Sequence, residues 1–399
     1  MFRLTAVPAT PAAVALLALP LLAGCVSNAP AGGGAGAIEV DSSATACRLS
    51  SAQAPSGPLT FKVRNSGDEV TEFYLLGDDG VRVVGEVENI GPGLTRDLLV
   101  QARPGRYFAV CKPGMVGDGI RSVFTVTDSG ASIGPADDTA RQLTDAEAAY
   151  VAYVKDQAGS LIATTRTFAE AYARGDAATA RQLYAPTRVH WERIEPVAES
   201  FGNLDPLLDA READLAADET WSGWHYIEKD LWPPSPAANG GLTYVPLTPT
   251  EREAAAKDLV TWTQQLVDKV NAADFTFEAF QISNGAKELL DEVATGKVTG
   301  EEEIWSHTDL WDFQANVDGA KVAFEGVRDV ALTKDPELAA TLAQRFDAIN
   351  ALLAKHGSIE EGFTRYDALS AAEITELAAA VDALSEPLSR LTTTITGAG

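Results

Sequence analysis

The chain has 399 residues, of which 57 are acidic and 31 are basic, so its formal net charge is -26 at pH 7. This charge excludes nucleic acid and anionic lipid headgroups as ligands of the folded part, because both carry negative charge themselves. Beyond a short N-terminal segment, about 360 residues remain, which is too many for one core of usual size and predicts two domains.

The N-terminus has the features of a lipoprotein signal. An apolar segment from Ala12 to Leu22 leads into Leu22-Ala23-Gly24-Cys25, a small-residue cleavage site that ends in cysteine. The segment is too short for a stable membrane span. We expect removal of residues 1–24, lipidation of Cys25 with two acyl chains, and a flexible Ala-, Gly- and Pro-rich tether over 25–37. A plain signal peptide with a chance cysteine is the alternative.

Residues 38–128 have the alternating pattern of short β-strands. Apolar runs such as Leu59–Val63 are separated by turn residues, for example Gly91-Pro92-Gly93, which reverse the chain direction. About seven such strands in about 90 residues predict an all-β sandwich. The Gly-, Ala- and Asp-rich residues 129–142 are predicted to be a linker.

Residues 143–399 change to an apolar spacing of three and four. Tyr150, Tyr153 and Leu161 lie on one face of a long predicted helix, and Thr144 with Glu147 predicts its capping box. The remaining runs have the same character and are interrupted by Pro and Gly. We therefore predict an all-α helical bundle.

Two pairs of possible metal ligands occur in this helical region. His225 and Glu228, in a Gly-x-His-x-x-Glu stretch, and Glu192 and Glu195 upstream are each three positions apart. At that spacing both side chains of a pair lie on one helix face, so facing helices can hold an ion between them. The alternative is that Glu192 pairs with Arg188, and Glu228 with a basic neighbour, as solvated charges on the helix surface.

Four long motifs of the helical region follow one another along the chain: Ala185–Pro196, Asp209–Glu212, Gly223–Lys229 and Ser306–Val317. In sequence and in order they resemble the imelysin-like domain of the EfeO family of iron-uptake components. With the preceding sandwich, the resemblance covers essentially the whole mature chain.

This resemblance implies a metal site in the bundle and its ligands. His225 and Glu228 match the family's His-x-x-Glu motif, and Glu192, Glu195 and Asp209 match its acidic positions, whereas adjacent acids leave the register of Glu292 uncertain. Carboxylates with one imidazole suit ions of intermediate hardness such as iron, manganese or zinc, and ferric iron favours the carboxylates further. The implied cargo is iron, as Fe²⁺ or Fe³⁺.

The sandwich resembles a cupredoxin, in which Cys111 and Met115 match the copper-ligand loop. A blue-copper site also needs two histidines, and the first histidine after the signal is His190, outside this region. Two alternatives remain for Cys47 and Cys111. One is a disulfide. The other, implied by the resemblance, is an unusual copper or iron site with nearby groups, for which the candidates are Glu72, Asp97 and Met115.

The lipoprotein signal and the resemblance together predict a lipid-anchored protein that captures iron outside the cytoplasm. It implies delivery to an iron permease in the membrane, with a separately encoded haem peroxidase as a further partner. A ferroxidase with a redox metal in the sandwich is one alternative. A peptidase is another, because the imelysin family carries that label, although the sequence has no His-Glu-x-x-His zinc motif. We therefore predict a binding protein rather than an enzyme.

Overall fold

The computed structural model describes residues 37–78, 83–114, 119–130, 137–216 and 219–397. The predicted signal peptide, Cys25 and Met115 lie outside the described residues, as does the tether before residue 37. Residues Ala35–Gly399 form one compact unit. Within the described ranges, no helix is both long enough and apolar enough to cross a bilayer.

The N-terminal part is a β-sandwich, as the alternating pattern predicts. One sheet has the strand order β2-β1-β4-β7 and the other the order β3-β9-β8-β5-β6. Their facing sides form one core, in which the Phe61 ring lies 5.3 Å from the rings of both Phe73 and Phe124. The strands are β1 Ile38–Ser43, β2 Ala46–Leu49, β3 Gln53–Pro55, β4 Gly57–Asn65, β5 Thr71–Leu76, β6 Val83–Ile90, β7 Thr95–Ala102, β8 Gly105–Pro113 and β9 Ile120–Thr127.

The C-terminal part is mainly helical, as predicted. Short 3-10 helices connect its longer helices, among them Glu195–Phe201 and Lys297–Thr299, and a two-stranded hairpin joins the last ones. The elements are α1 Asp137–Ala173, α2 Ala177–Glu192, α3 Leu204–Asp209, α4 Trp224–Leu231, α5 Pro249–Val270, α6 Ala279–Thr295, α7 Asp309–Lys334, α8 Pro336–Leu353, β10 Gly357–Ser358, β11 Gly362–Phe363, α9 Ala371–Leu388 and α10 Leu391–Thr396.

The start of the helical part differs from the prediction. Helix α1 begins at Asp137, inside the predicted linker, because good helix formers at Ala140, Arg141 and Gln142 extend the helix towards the N-terminus. Thr144 is therefore inside the helix rather than at its cap. The Glu147 carboxylate instead accepts a hydrogen bond of 2.8 Å from the backbone N–H of Ala279, at the beginning of α6.

Helix α6 lies against strands β6 and β7 of the sandwich. Phe280 is buried in the sandwich core, and the Asn284 side chain donates a 2.9 Å hydrogen bond to the Leu99 carbonyl. Arg96 forms an ion pair of 2.8 Å with Asp291. These contacts join the β part and the helical part, and they bring acidic residues of both parts together.

Candidate metal centre

Helix α4 carries His225 and Glu228. A close contact between Gly223, just before this helix, and helix α3 fixes where α4 begins. Gly223 has a φ of 87°, and a Cβ at this position would lie only 2.1 Å from the Leu208 carbonyl oxygen of α3. Only glycine fits there without moving the backbone. Both functional side chains then point inward: His225 is 1% exposed and Glu228 is fully buried. Their Nδ1 and Oε2 atoms are 3.3 Å apart, so the predicted shared face is confirmed.

Four carboxylates surround the His225 imidazole. Its Nε2 atom lies 3.5 Å from both Asp209 Oδ1 and Glu302 Oε1. Its Nδ1 atom, besides facing Glu228, lies 3.9 Å from Glu303 Oε1. The atoms form two groups, Asp209 with His225 and Glu302, and His225 with Glu228 and Glu303, each with its ligand atoms within 4.8 Å of one another. We call these five residues the His225 cluster. An imidazole with several carboxylates can bind iron, manganese or zinc.

Neighbouring groups hold the carboxylates of the His225 cluster in place. Glu228 Oε1 accepts hydrogen bonds from the backbone N–H groups of Trp305, at 3.1 Å, and Ser306, at 2.7 Å. Glu303 accepts from the Tyr184 hydroxyl at 3.1 Å. Such outer hydrogen bonds orient metal ligands before an ion binds. They leave Glu228 Oε2 directed towards the imidazole.

Arg188 places a permanent positive charge beside the His225 cluster. Its guanidinium is fully buried and forms short ion pairs with Glu192 and Asp209. Its Nε atom is 2.8 Å from Glu303 and 3.5 Å from Asp312. Buried carboxylates are tolerated only where such partners compensate them. The surface location considered for the Arg188–Glu192 pair is therefore wrong, because both side chains are fully buried.

Glu192 and Glu195 lie beside the His225 cluster rather than in it. The Lys297 ammonium, on the 3-10 helix Lys297–Thr299, contacts Glu192 at 3.1 Å and Glu195 at 2.7 Å. The Asn316 side-chain amide donates to the same two carboxylates, at 3.0 and 2.6 Å. Lys297 is also 3.7 Å from Glu302, so this pair is connected to the cluster through one lysine.

Glu292 is half-buried on α6 near the same charges. Burial raises the pKa of its carboxyl and so does the charge of Glu302, while Lys297 lowers it. Glu292 belongs to neither of the two ligand groups around His225. A ligand role for Glu292 therefore stays a prediction.

The pKa values in the His225 cluster describe an internal ion pair. Burial and Arg188 lower the pKa of His225, but the neighbouring carboxylates of Glu228, Glu302 and Asp209 raise it to about 9. Burial raises the pKa of Glu302, yet Lys297, His225 and Arg211 hold it well below its usual range. The imidazolium is therefore a cation inside a carboxylate cage. A metal ion that uses its nitrogen must displace a proton.

Sequence reasoning missed three acidic residues near the centre, namely Glu302, Glu303 and Asp312. Glu302 is 4% exposed, and the other two are almost completely buried. The run Glu301-Glu302-Glu303 is a sequence signal for an acidic site. It lies outside a regular helix, however, so no periodicity shows which of its side chains point into the protein. A backbone contact orders this turn: the Glu303 N–H donates to the Asp309 carboxylate at 3.1 Å.

In the sandwich, Cys47 and Cys111 form a disulfide that joins β2 of one sheet to β8 of the other. Both sulfurs are used by this bond, so a thiolate site would require a reduced chain. Glu72 pairs in register with Lys112 on the opposite side of the strand from Cys111, and forms a 3.2 Å ion pair with it. Asp97 is 56% exposed and faces Lys62. Neither carboxylate joins the cysteines.

Comparison with known proteins places the helical part in a family. The sequence profile of imelysin, peptidase family M75, matches residues 146–391. An "Iron uptake system component EfeO" from Yersinia pestis is 35% identical over 348 residues, which cover 86% of this chain and 87% of the relative. The protein of the same name from Escherichia coli strain K12 is 34% identical over 339 residues, 84% of this chain and 85% of the relative. These relatives are named as uptake components and not as enzymes.

Proposed function

Because the chain belongs to the imelysin family and is related to its EfeO iron-uptake components, we propose that it captures iron outside the cytoplasm and delivers it to a membrane permease. The observation that carries the proposal is the buried His225 between Asp209, Glu228, Glu302 and Glu303. This ligand set offers one borderline nitrogen and several hard oxygens, the donors that suit Fe²⁺ and Fe³⁺.

Internal cations give this cluster the properties of a reversible carrier. Arg188 and the imidazolium of His225 already balance part of the negative charge. An incoming ion therefore replaces a proton and rearranges ion pairs instead of filling an uncompensated cage, which limits the affinity and permits release. A carrier that hands its cargo to a permease needs both capture and release.

We further propose that Cys25 is lipidated and tethers the protein to a membrane that faces the periplasm or the cell exterior. The support is the apolar segment and the small residues before Cys25, a pattern recognised by the export machinery. A haem peroxidase of the same uptake system is proposed as a further partner. Copper or zinc would be bound as competitors of iron.

A binding role is favoured over the ferroxidase alternative by the sandwich itself. A redox centre there would draw on Cys47 and Cys111, whose sulfurs are joined. Glu72 is engaged by Lys112 and Asp97 faces outward. The carboxylate-rich centre of the helical part is thus the better supported place for the metal.

The test is calorimetric titration of the mature chain with Fe²⁺, Fe³⁺, Zn²⁺ and Cu²⁺. The double variant His225→Gln, Glu228→Gln is compared with the control His190→Gln, whose imidazole contacts Gln157 at 2.9 Å outside the cluster. We expect the double variant to lose one equivalent of iron and the control to keep it. Unchanged iron stoichiometry in a folded double variant would refute this assignment.

A further inference from the structure

A second group of carboxylates lies between the β part and the helical part. Glu86 and Glu88 come from β6, and Glu199 comes from the 3-10 helix Glu195–Phe201; their oxygens lie within 4.8 Å of one another. We call these three residues the junction cluster. Val87, between the two strand residues, is fully buried in the sandwich core. Since side chains alternate along a strand, Glu86 and Glu88 both face away from that core.

Two buried carboxylate oxygens at this junction have no hydrogen-bond partner. One is Oε2 of Glu86 in the cluster itself. The other is Oε2 of Glu288, a residue of α6 that is only 7% exposed and whose charge acts on both Glu86 and Glu88. Buried polar atoms are nearly always satisfied by protein, water or an ion. The unsatisfied Glu86 oxygen belongs to the carboxylate group itself, so it points to a ligand held between Glu86, Glu88 and Glu199.

The charge of the junction cluster is only partly compensated, by Lys112, which lowers the pKa of Glu199 against the effect of burial. Lys112 lies nearby, but its ammonium is engaged by Glu72 at 3.2 Å and by the Tyr74 ring at 4.3 Å. In the described part of the chain, no lysine, arginine or histidine forms an ion pair with Glu86, Glu88 or Glu199. The His225 cluster differs in this respect, since Arg188 and Lys297 are inserted among its acids. Clustered acids without a cation repel one another.

We propose that Glu86, Glu88 and Glu199 bind a second cation, a hard ion of the calcium type, at the junction of the sandwich and the helical bundle. All the ligand atoms are carboxylate oxygens, with no imidazole or thiolate, and this donor set favours Ca²⁺ and trivalent hard ions over Zn²⁺. Because the ligands come from both parts of the molecule, a bound ion crosslinks β6 to the Glu195–Phe201 segment. That segment begins with Glu195, which contacts Lys297 next to the His225 cluster.

Terbium luminescence tests this site on the whole mature chain. The Tyr74 hydroxyl donates to Glu199 at 3.4 Å, so a Tb³⁺ ion in the junction cluster lies next to a phenol that sensitises its emission. We expect Ca²⁺ to displace Tb³⁺ from the parent protein. Tyr74→Phe should lower the sensitised emission of this ion without changing the number of ions bound.

The variant Glu86→Gln, Glu88→Gln removes two ligands and two charges. Its matched control, Glu337→Gln, Glu386→Gln, removes the same charge from exposed positions on α8 and α9. We expect the first variant to lose one equivalent of Tb³⁺, or to bind it at least tenfold more weakly, and the control to bind like the parent. The variant His225→Gln, Glu228→Gln should retain the junction ion, which separates this proposal from the iron-carrier proposal.

Folding of the variant is checked by circular dichroism and thermal unfolding without added ions. Neutral amides relieve the repulsion, so we expect an unchanged or higher melting temperature that Ca²⁺ no longer raises. If the double variant does not fold, Glu199→Gln alone replaces it in the same titration. Equal stoichiometry and affinity in the folded variant and its control would overturn the proposal, as would a calcium-induced rise in melting temperature that survives both substitutions.

Discussion

Arg188 and Lys297 explain how so many acidic side chains can be buried in one place. Arg188 is fully buried and Lys297 is 2% exposed. Together they contact Glu192, Glu195, Asp209, Glu302, Glu303 and Asp312. A buried acid without such a partner would be protonated or would destabilise the fold. The two basic residues are therefore part of the site, although neither can be a metal ligand.

Replacement of Lys297 by methionine should destabilise the protein strongly. The change leaves Glu192 and Glu195 without their ammonium partner, and breaking a buried ion pair costs about 3 kcal/mol or more. The control is Lys355→Met, which removes an exposed ion pair with Glu376 worth about 1 kcal/mol at most. Urea unfolding at pH 7 measures both. Equal midpoints for the two variants would show that Lys297 does not compensate these acids.

At the residue scale, sequence reasoning succeeded where the geometry is local. The spacing of His225 and Glu228 fixes their common face within one helical turn, and the structure confirms it. Glu302 and Glu303 reach His225 from a turn that is distant in the sequence; the hydrogen bond from Ser306 of the same turn to Glu228 spans 78 positions. No periodicity encodes a contact of that kind, because it depends on how α4 and the turn before α7 pack together.

At the scale of elements, the change of apolar period from two to three or four separated the sandwich from the helices. It did so because the period reflects which face each element buries. The linker was assigned by composition instead, and there α1 extends to Asp137. Composition cannot show whether a short polar stretch continues a helix that the following residues stabilise.

The close contact between α3 and α4 predicts a severe effect of Gly223→Ala. A Cβ at Gly223 would lie 2.1 Å from the Leu208 oxygen, so α4 must shift and His225 with it. The control is Gly241→Ala: φ is +85° there as well, but nothing lies within 4 Å of the added carbon. We expect the control to lose about 1 kcal/mol and Gly223→Ala to lose clearly more, together with the iron equivalent. Calorimetry and urea unfolding test this, and equal behaviour of the two variants would contradict it.

The second prediction at the scale of elements concerns the disulfide between β2 and β8 and its contribution to stability. This disulfide closes a sequence separation of 64 residues, for which chain entropy gives about 4 kcal/mol of stabilisation. We expect Cys47→Ala, Cys111→Ala to unfold at a lower urea concentration, with a loss of about 2–4 kcal/mol. The parent in reductant should behave like the variant, and the variant should not respond to reductant. A reductant effect of equal size on both would exclude the disulfide as its cause.

At the scale of the whole molecule, part of the excess of acidic residues lies inside the protein rather than on its surface. Burial raises the pKa of Glu86, Glu88 and Glu199, and the charges of neighbouring carboxylates, Glu72 among them, add to this effect. A chain with a net charge of -26 thus carries internal as well as surface repulsion. Its stability should therefore depend on pH and on cations in a way that identifies the groups responsible.

The raised pKa of Glu199 predicts the direction in which the stability of the protein changes with pH. Burial raises the pKa of the Glu199 carboxyl to about 7, despite the opposing charge of Lys112. Between its ordinary pKa of 4.5 and about 7, the folded state binds more protons at this carboxyl than the unfolded state does. Stability contributed by the protonated group is therefore complete below pH 4.5 and is lost as the pH rises towards 7.

The measurement is the free energy of urea unfolding at pH 5 and pH 7.5 in the presence of a chelator, for the parent and for Glu199→Gln. The amide cannot ionise, but it keeps the oxygen that accepts from Tyr74. We expect the parent to lose on the order of 2 kcal/mol more than the variant over this range. Parallel curves for the two proteins would show that Glu199 ionises normally. With excess Ca²⁺, the free energy of unfolding of the parent should change less with pH. The reason is that an ion in the junction cluster stabilises the carboxylate form that high pH produces.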